Sequence, residues 1–398
     1  MYRVLRIINR FNLGGPTYNV GYLSRYLHPD FETMLVGGAK DETEGSSEFI
    51  VRQLGLEPRI IPEMRRSISP AADRAAYKKI RQLIREFQPH IVHTHASKAG
   101  ALGRLAASSC KVPVIVHTFH GHVFHSYFGK LSTSFYKSVE RFLARRSDAI
   151  VAISARQKEE LSLEHNICPP EKIEIIPLGF DLSRFRENTE SKRRKFRSAW
   201  QLADDELALV IVGRLVPVKN HALFLEALKE LSQRSTKKIR AFIVGDGESR
   251  SDVEAKAREL QLPFRSDPQE PPALLTFTSW IKDVDEVYAG ADLVALSSWN
   301  EGTPVSLIEA QAAGRAIVST DTGGIGDVVV PGQTALLSEP GDGKKFAEHL
   351  LHLAENDAQR EAFGARGWEQ VGKHFHYTRL VSDMEKLYRR LLNEKGIR

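Results

Sequence analysis

The chain has 398 residues, 42% of them apolar and 27% charged, an ordinary globular balance in a chain too long for one core, so two domains are expected. Two cysteines, Cys110 and Cys168, exclude a disulfide framework, and no run of about 18 apolar residues exists to cross a bilayer. The net charge of +6 is uneven: residues 1–180 hold 25 Lys+Arg against 17 Asp+Glu, and residues 181–398 hold 31 against 33.

The first strand-like run, VLRIIN, starts almost at Met1, so no signal peptide is expected. The expected place of work is therefore the cytoplasm, or peripherally the inner face of the cytoplasmic membrane. A Gly14-Gly15 loop follows, with Pro16 at the start of a helix; glycine there lets backbone approach a bulky anion, although a tight turn explains it too. The loop is not the G-x-G-x-x-G dinucleotide fingerprint. Strand-like runs ETMLVGG and RIIP come next, then HIVHTH, which ends on His93 and His95 and is followed by Lys98.

PVIVHT leads into His117, His120, His122 and His125. Four histidines invite a zinc reading, but their spacing fits no standard motif and the cysteines are distant. No metal site is predicted. In KLSTSFYKSVERFLARR, Lys137, Arg141 and Arg145 recur every fourth residue beside Phe135, Phe142 and Leu143. Two readings stay open: a basic face for anionic lipid headgroups or a pyrophosphate-linked acceptor, and an ordinary solvated amphipathic helix. No nucleic-acid-binding module accompanies the charge, so nucleic acid is not an expected partner.

AIVAIS and IEIIP complete the first half, and the boundary falls at IIPLGFDLSRF, residues 175–185. The basic run SKRRKFR beyond it reads as an exposed helix face. In the second half, LALVIVG, RAFIVGDG, LLTFTS, LVALSS, AIVST and TALLS alternate with helix-like segments. Such alternation signals βαβ units and parallel sheets. After LALVIVG, Gly213 is followed by Arg214 and Lys219 in one loop at the carboxyl end of a strand, where open α/β sheets bind ligands; two cations there can hold a diphosphate. Asp283 and Asp285 open a helix, where its dipole explains them without a metal.

The densest segment is SSWNEGTPVSLIEAQAAGRAIVSTDTGG. Thr303 as N-cap and Pro304 at the first helical position predict a helix ending near Gly314. Glu301 sits just outside its N-terminus and Glu309 inside it. Each carboxylate can accept hydrogen bonds from one hydroxyl cluster of a long ligand.

This Glu-x7-Glu spacing, with GR-x4-KN and HTFHGHVF upstream, resembles the retaining glycosyltransferases of family 4. The resemblance covers nearly the whole chain and implies an α/β GT-B architecture, two Rossmann-like domains with parallel sheets facing across a cleft. Residues 1–178 would form the acceptor domain, 179–377 the donor domain, and 378–398 a helix crossing back to the first. It implies transfer of a sugar from a nucleotide diphosphate sugar, a UDP-sugar above all, to a hydroxyl, with retention and no metal or other cofactor. Catalytic roles would fall to His120, Arg214, Lys219 and Glu301. Donor binding would involve Gly14, Gly15, Gly213, Ser279, Trp280, Gly302, Thr303, Pro304, Val305 and Glu309, with Glu301 at the sugar and Glu309 at the ribose. Ser279 and Trp280 replace a glycine often found at that point. His95 and Lys98 would face the acceptor, a glycan, a lipid-linked sugar or a small molecule. Phrases such as HTHASKAGALGRLAA are similar to bacterial capsular and exopolysaccharide members. The alternatives are a transferase for a small soluble acceptor, as in bacillithiol synthesis, a nucleotide-sugar 2-epimerase, and a non-catalytic nucleotide-sugar-binding protein.

Overall fold

A computed structural model describes residues 1–11, 15–38, 47–65, 67, 69–120 and 130–397, with the side chains of 130–133 excepted. The chain divides into two compact units, Met1–Phe180 with Phe375–Arg398, and Asp181–His374.

The first unit is built on a seven-stranded sheet. Its strands are β1 (Tyr2–Arg10), β2 (Phe31–Gly38), β3 (Arg59–Ile61), β4 (Ile91–His95), β5 (Val114–Thr118), β6 (Ala149–Ala152) and β7 (Ile173–Ile175), in the order β3-β2-β1-β4-β5-β6-β7. Every pairing is parallel. β4 and β5 are buried at every residue, as a sheet covered on both faces requires. The two faces separate by the two-residue period of a strand. Leu5, Ile7, Val92 and Ile115 pack on Ala76, Ile80 and Ile84 of the helix Pro70–Phe87 and on Ala99 and Ala106 of the helix Ser97–Ser109. Val4, Ile91, Val114 and Val116 pack instead on Leu380, Met384, Leu387, Tyr388 and Leu391 of the last helix, Tyr377–Glu394. Those helical positions recur at three- and four-residue intervals, so one stripe covers the sheet.

The second unit repeats the plan with β8 (Glu206–Val212), β9 (Lys238–Val244), β10 (Phe264–Arg265), β11 (Leu275–Ser279), β12 (Leu293–Leu296), β13 (Ala316–Thr320) and β14 (Ala335–Ser338). The order is β10-β11-β9-β8-β12-β13-β14. In each sheet the chain starts centrally, runs to one edge and returns to build the other. This reversal falls between β1 and β4 and between β8 and β12, and the carboxyl ends of those pairs are the crevices where such sheets bind ligands.

One local expectation changes in part. The basic helix Thr189–Ala199 is a solvated face only in part: Arg194 and Lys195 are exposed, but Arg197 is buried and bonds Asp292, whose other oxygen takes Arg193, and Lys192 pairs with Asp285. Asp285 is thus ion-paired as well as being in the first turn of the helix Val284–Gly290. β10 carries too few residues to show a pattern in the sequence. Among the described residues no helix is long and apolar enough to cross a membrane.

Candidate active site

At the β8/β12 switch point the loop after β8 holds a 3-10 turn, Pro217–Lys219, and Asn220, with φ +49°, opens the helix His221–Arg234. The loop after β12 is stitched to it by Trp299 N–H on the Val218 carbonyl (2.8 Å) and Ser297 Oγ on the Lys219 carbonyl (3.0 Å). These bonds bring Lys219 Nζ to 2.5 Å from Glu301 Oε1. Ser298 Oγ donates to the same oxygen at 2.6 Å. Glu301 is 9% exposed, so its charge is largely desolvated and held by an ammonium and a hydroxyl. Lysine carries three N–H bonds, which leaves donors beyond the one Glu301 takes.

The loop after β13 closes the floor. Thr320 Oγ1 donates to the Ser298 carbonyl at 2.7 Å, Thr322 Oγ1 to that of Trp299 at 2.9 Å, and Gly324 N–H to that of Glu301 at 3.0 Å. A Cβ on Gly324 would lie 1.8 Å from the Gly302 carbonyl oxygen, so only glycine lets the two loops meet. Arg214 is exposed and has no ion pair among the described residues. Beside it, a Cβ on Gly213 would sit 3.7 Å from Lys219 Cε. One unpaired guanidinium and one shared ammonium therefore leave the same loop.

The helix after Glu301 is Val305–Ala312, with Pro304 rather than Thr303 as its N-cap, a correction of one position. Pro304 has ψ 94°, outside the helical range, and its carbonyl accepts the first helical N–H bonds from Leu307 and Ile308. Gly302, Thr303 and Val305 line this end, where first-turn amides have no intrahelical acceptor and the dipole is positive. Glu309 lies one turn in, its side chain 17% exposed and 3.8 Å from the Arg184 guanidinium. Burial pushes its carboxyl up to about 7, against the pull of Arg184 and a hydrogen bond with Tyr288.

Ser279 ends β11 with φ +55°, a left-handed conformation that glycine adopts without cost, which explains the residue more usual there. Its Oγ donates to Asp246 Oδ2 at 2.8 Å. Trp280 is 53% exposed and leans on Gly245, where a Cβ would meet its ring at 3.6 Å.

In the first unit Gly15 begins the helix Gly15–Tyr26 at the carboxyl end of β1, while Gly14, His122 and His125 lie outside the described residues. The structure places His95 in the interior and Lys98 in an ion pair. His95 is fully buried behind His120, its Nδ1 2.8 Å from His120 Nε2, and so offers no surface to an acceptor. Lys98 is 2.5 Å from Asp73 and donates to the Ser67 carbonyl; the partner lies on another helix and could not be seen locally. Between them, Ala96 has φ +65° and ψ 161°, a region nearly reserved for glycine that concentrates at functional sites. Burial lowers His120 to about 3. Burial also raises the Cys168 thiol, to about 11. No group of three His, Cys, Asp or Glu among the described residues could hold a metal ion. A shallow groove of about 470 Å³, lined by Tyr77, Leu102, Leu105 and Phe142 among others, contains none of these site residues.

Sequence reasoning missed Ser298, Arg184 and Tyr288, which hold the two glutamates, and Arg6, which holds His95. Only Arg6 left a signal: a charge inside an apolar strand.

Two seven-stranded parallel sheets with a cationic loop and paired glutamates at one switch point define a glycosyltransferase of the GT-B class. The profile described as Glycosyltransferase Family 4 matches residues 13–184 and that of Glycosyl transferases group 1 matches residues 192–370. The chain is 30% identical over 331 residues to the UDP-Gal:alpha-D-GlcNAc-diphosphoundecaprenol alpha-1,3-galactosyltransferase of Escherichia coli, covering 82% of each protein. It is 24% identical to the capsular polysaccharide biosynthesis glycosyltransferase CapM of Staphylococcus aureus, over 84% of this chain and 85% of that one. Anabaena Alr3699/HepE, solved in complex with UDP, shares the fold at a TM-score of 0.80 with 17% identity, over 98% of this chain and 100% of that one. The chain belongs to glycosyltransferase family 4.

Proposed function

We propose that this enzyme transfers a hexosyl unit from a UDP-sugar to a hydroxyl of a saccharide carried on a polyprenyl diphosphate, with retention and without a metal or other cofactor. The observation that carries it is the Lys219–Glu301 pair beside the unpaired Arg214 at the β8/β12 switch point. Arg214 and Lys219 take the diphosphate whose charge grows as the glycosidic bond breaks, and charge stabilisation of this kind is commonly the largest catalytic term. Glu301 binds sugar hydroxyls, Glu309 the ribose, and Trp280 offers an exposed ring to the base. His120 is assigned to the donor sugar on the family's His-Gly loop. Following the family's front-face course, the departing phosphate takes the acceptor proton, so no protein base is required.

A lipid-linked acceptor is favoured by the relative that acts on a diphosphoundecaprenol-linked sugar. Working at the inner membrane face is part of the same proposal. Its support is the helix Lys130–Arg145, where Phe135 and Phe142 are 66% and 45% exposed beside Arg145; Arg141, by contrast, bonds the carbonyls of His165 and Asn166.

Thermal unfolding against UDP, GDP and their sugars tests the donor, since a ligand at 100 times its Kd adds about 2.7 kcal/mol. Stabilisation by GDP alone would overturn the base assignment. Turnover of the stabilising donor with polyprenyl-diphosphate-linked against water-soluble sugars tests the acceptor. Conversion of donor without acceptor would mean an epimerase.

A further inference from the structure

Arg6 is the one charge in the middle of β1, fully buried between Val4, Leu5, Ile7 and Ile8. The sheet register sets it opposite His93, and Ile8 opposite His95, on the face that Tyr388 covers. Its NH1 lies 2.9 Å from His93 Nδ1 and 3.3 Å from His95 Nε2. No carboxylate pairs with it, and Nε and NH2 have no partner, among the described residues.

A guanidinium can only donate, and one NH1 carries two hydrogens. His95 Nε2 must therefore accept, which fixes its tautomer, while His93 Nδ1 and the Tyr388 hydroxyl, itself bonded to Arg6, share the rest of the guanidinium's donation. With Nδ1 of His93 facing donors, its Nε2, 2.7 Å from Thr118 Oγ1, is the side left for its proton, and the Tyr388 hydroxyl lies 2.6 Å from the same Nδ1. His95 carries its proton on Nδ1 and donates to His120 Nε2 at 2.8 Å, the two rings stacked with centroids 5.1 Å apart. His120 Nε2 accepts, so a neutral His120 keeps its proton on Nδ1. That Nδ1 is buried and has no partner among the described residues. All three rings are held neutral, His93 and His95 by burial first and by the Arg6 charge as well, and His120 by burial.

We propose that Arg6, acting through His95, is a positioning residue that locks His120 as the Nδ1–H tautomer and makes it an obligate hydrogen-bond donor to an oxygen of the donor sugar. The proposal rests on the assignment of His120 to that sugar. It reverses the tautomer a free imidazole prefers, and it explains why a cation without a counter-charge persists inside a strand.

The test uses the full-length protein labelled with 15N-histidine, with ring tautomers read at pH 7 from two-bond proton–nitrogen correlations. The wild type should show His120 neutral with the proton on Nδ1. Arg6→Met, similar in length and unable to donate, should release His95 and His120 toward Nε2–H and lower kcat by about tenfold to a hundredfold, as loss of an outer hydrogen-bond partner does, with little change in KM for the donor. If that variant fails to fold, His95 carries the test. A glutamine there can accept from Arg6 and donate to His120, so His95→Gln should keep the His120 signal and turn over at least about tenfold faster than His95→Leu. A wild-type His120 that carries its proton on Nε2 or is charged, or a tautomer unmoved in both Arg6→Met and His95→Leu, overturns the proposal. His120→Ala separates the two layers: wild-type turnover in it means the ring does not serve the sugar, whereas slow turnover in it with a fast His95→Leu means the relay has failed.

Discussion

Lys219 and Glu301 are 82 residues apart in sequence, and their side chains meet at 2.5 Å because β8 and β12 are neighbours in the sheet. On the proposed roles, the lysine facing the leaving group is held by the glutamate facing the sugar. In Glu301→Gln the amide still accepts from Ser298 but loses the charge that fixes the ammonium. The expected outcome is a fall in kcat of about two orders of magnitude with affinity for free UDP within about threefold of wild type. Calorimetric titration with UDP beside steady-state kinetics checks both halves, and a loss confined to UDP affinity would reverse the roles of the two glutamates.

Arg214 is exposed and unpaired among the described residues, so removing it should leave the fold alone. Arg214→Ala is expected to keep its melting temperature and lose about a hundredfold or more in turnover. A correctly folded variant with near wild-type turnover would sink the diphosphate assignment.

Glu309 has its folded pKa raised to about 7 by burial. In the proposed role it accepts from the ribose hydroxyls, so UDP affinity should fall as pH drops through 7. Stability runs the opposite way: between the unfolded value near 4.5 and about 7, the folded state binds the extra proton, so stability declines as pH rises through that window. Glu309→Gln should accordingly weaken UDP binding, abolish its pH dependence near 7, and raise the melting temperature at pH 8 relative to pH 5. An unchanged pH profile of UDP binding in the variant would show that another group titrates.

Gly324 touches the Gly302 carbonyl so closely that a methyl group has no room. Gly324→Ala should push the Glu301 loop outward and cost donor turnover far more than global stability. Comparing donor kinetics with the urea midpoint decides it; a wild-type kcat would show that the loop has slack.

On the proposed mechanism, in which Arg214 and Lys219 supply the positive charge at the diphosphate, activity should survive EDTA. Complete loss on chelation, restored by zinc or magnesium, would contradict the metal-free mechanism.

The sequence by itself determined the alternation of strands and helices, all strands but the two-residue β10, the placing of Arg214, Lys219 and Glu301 at strand-to-helix junctions, and that of Glu309 one turn into the helix. Those signals are local: buried parallel strands need unbroken apolar runs, and junctions need glycine, proline and polar residues within a few positions. What only the tertiary structure decided is which side chains hold which. Lys98 is paired with Asp73, Arg193 and Arg197 of the SKRRKFR run with Asp292, Glu309 with Arg184 and Tyr288, and the histidines of β4 with an arginine of β1. Each partner comes from a distant segment brought near by strand order, and a hydrogen bond depends on register to within one residue, since a shift by one turns every side chain to the other face of the sheet.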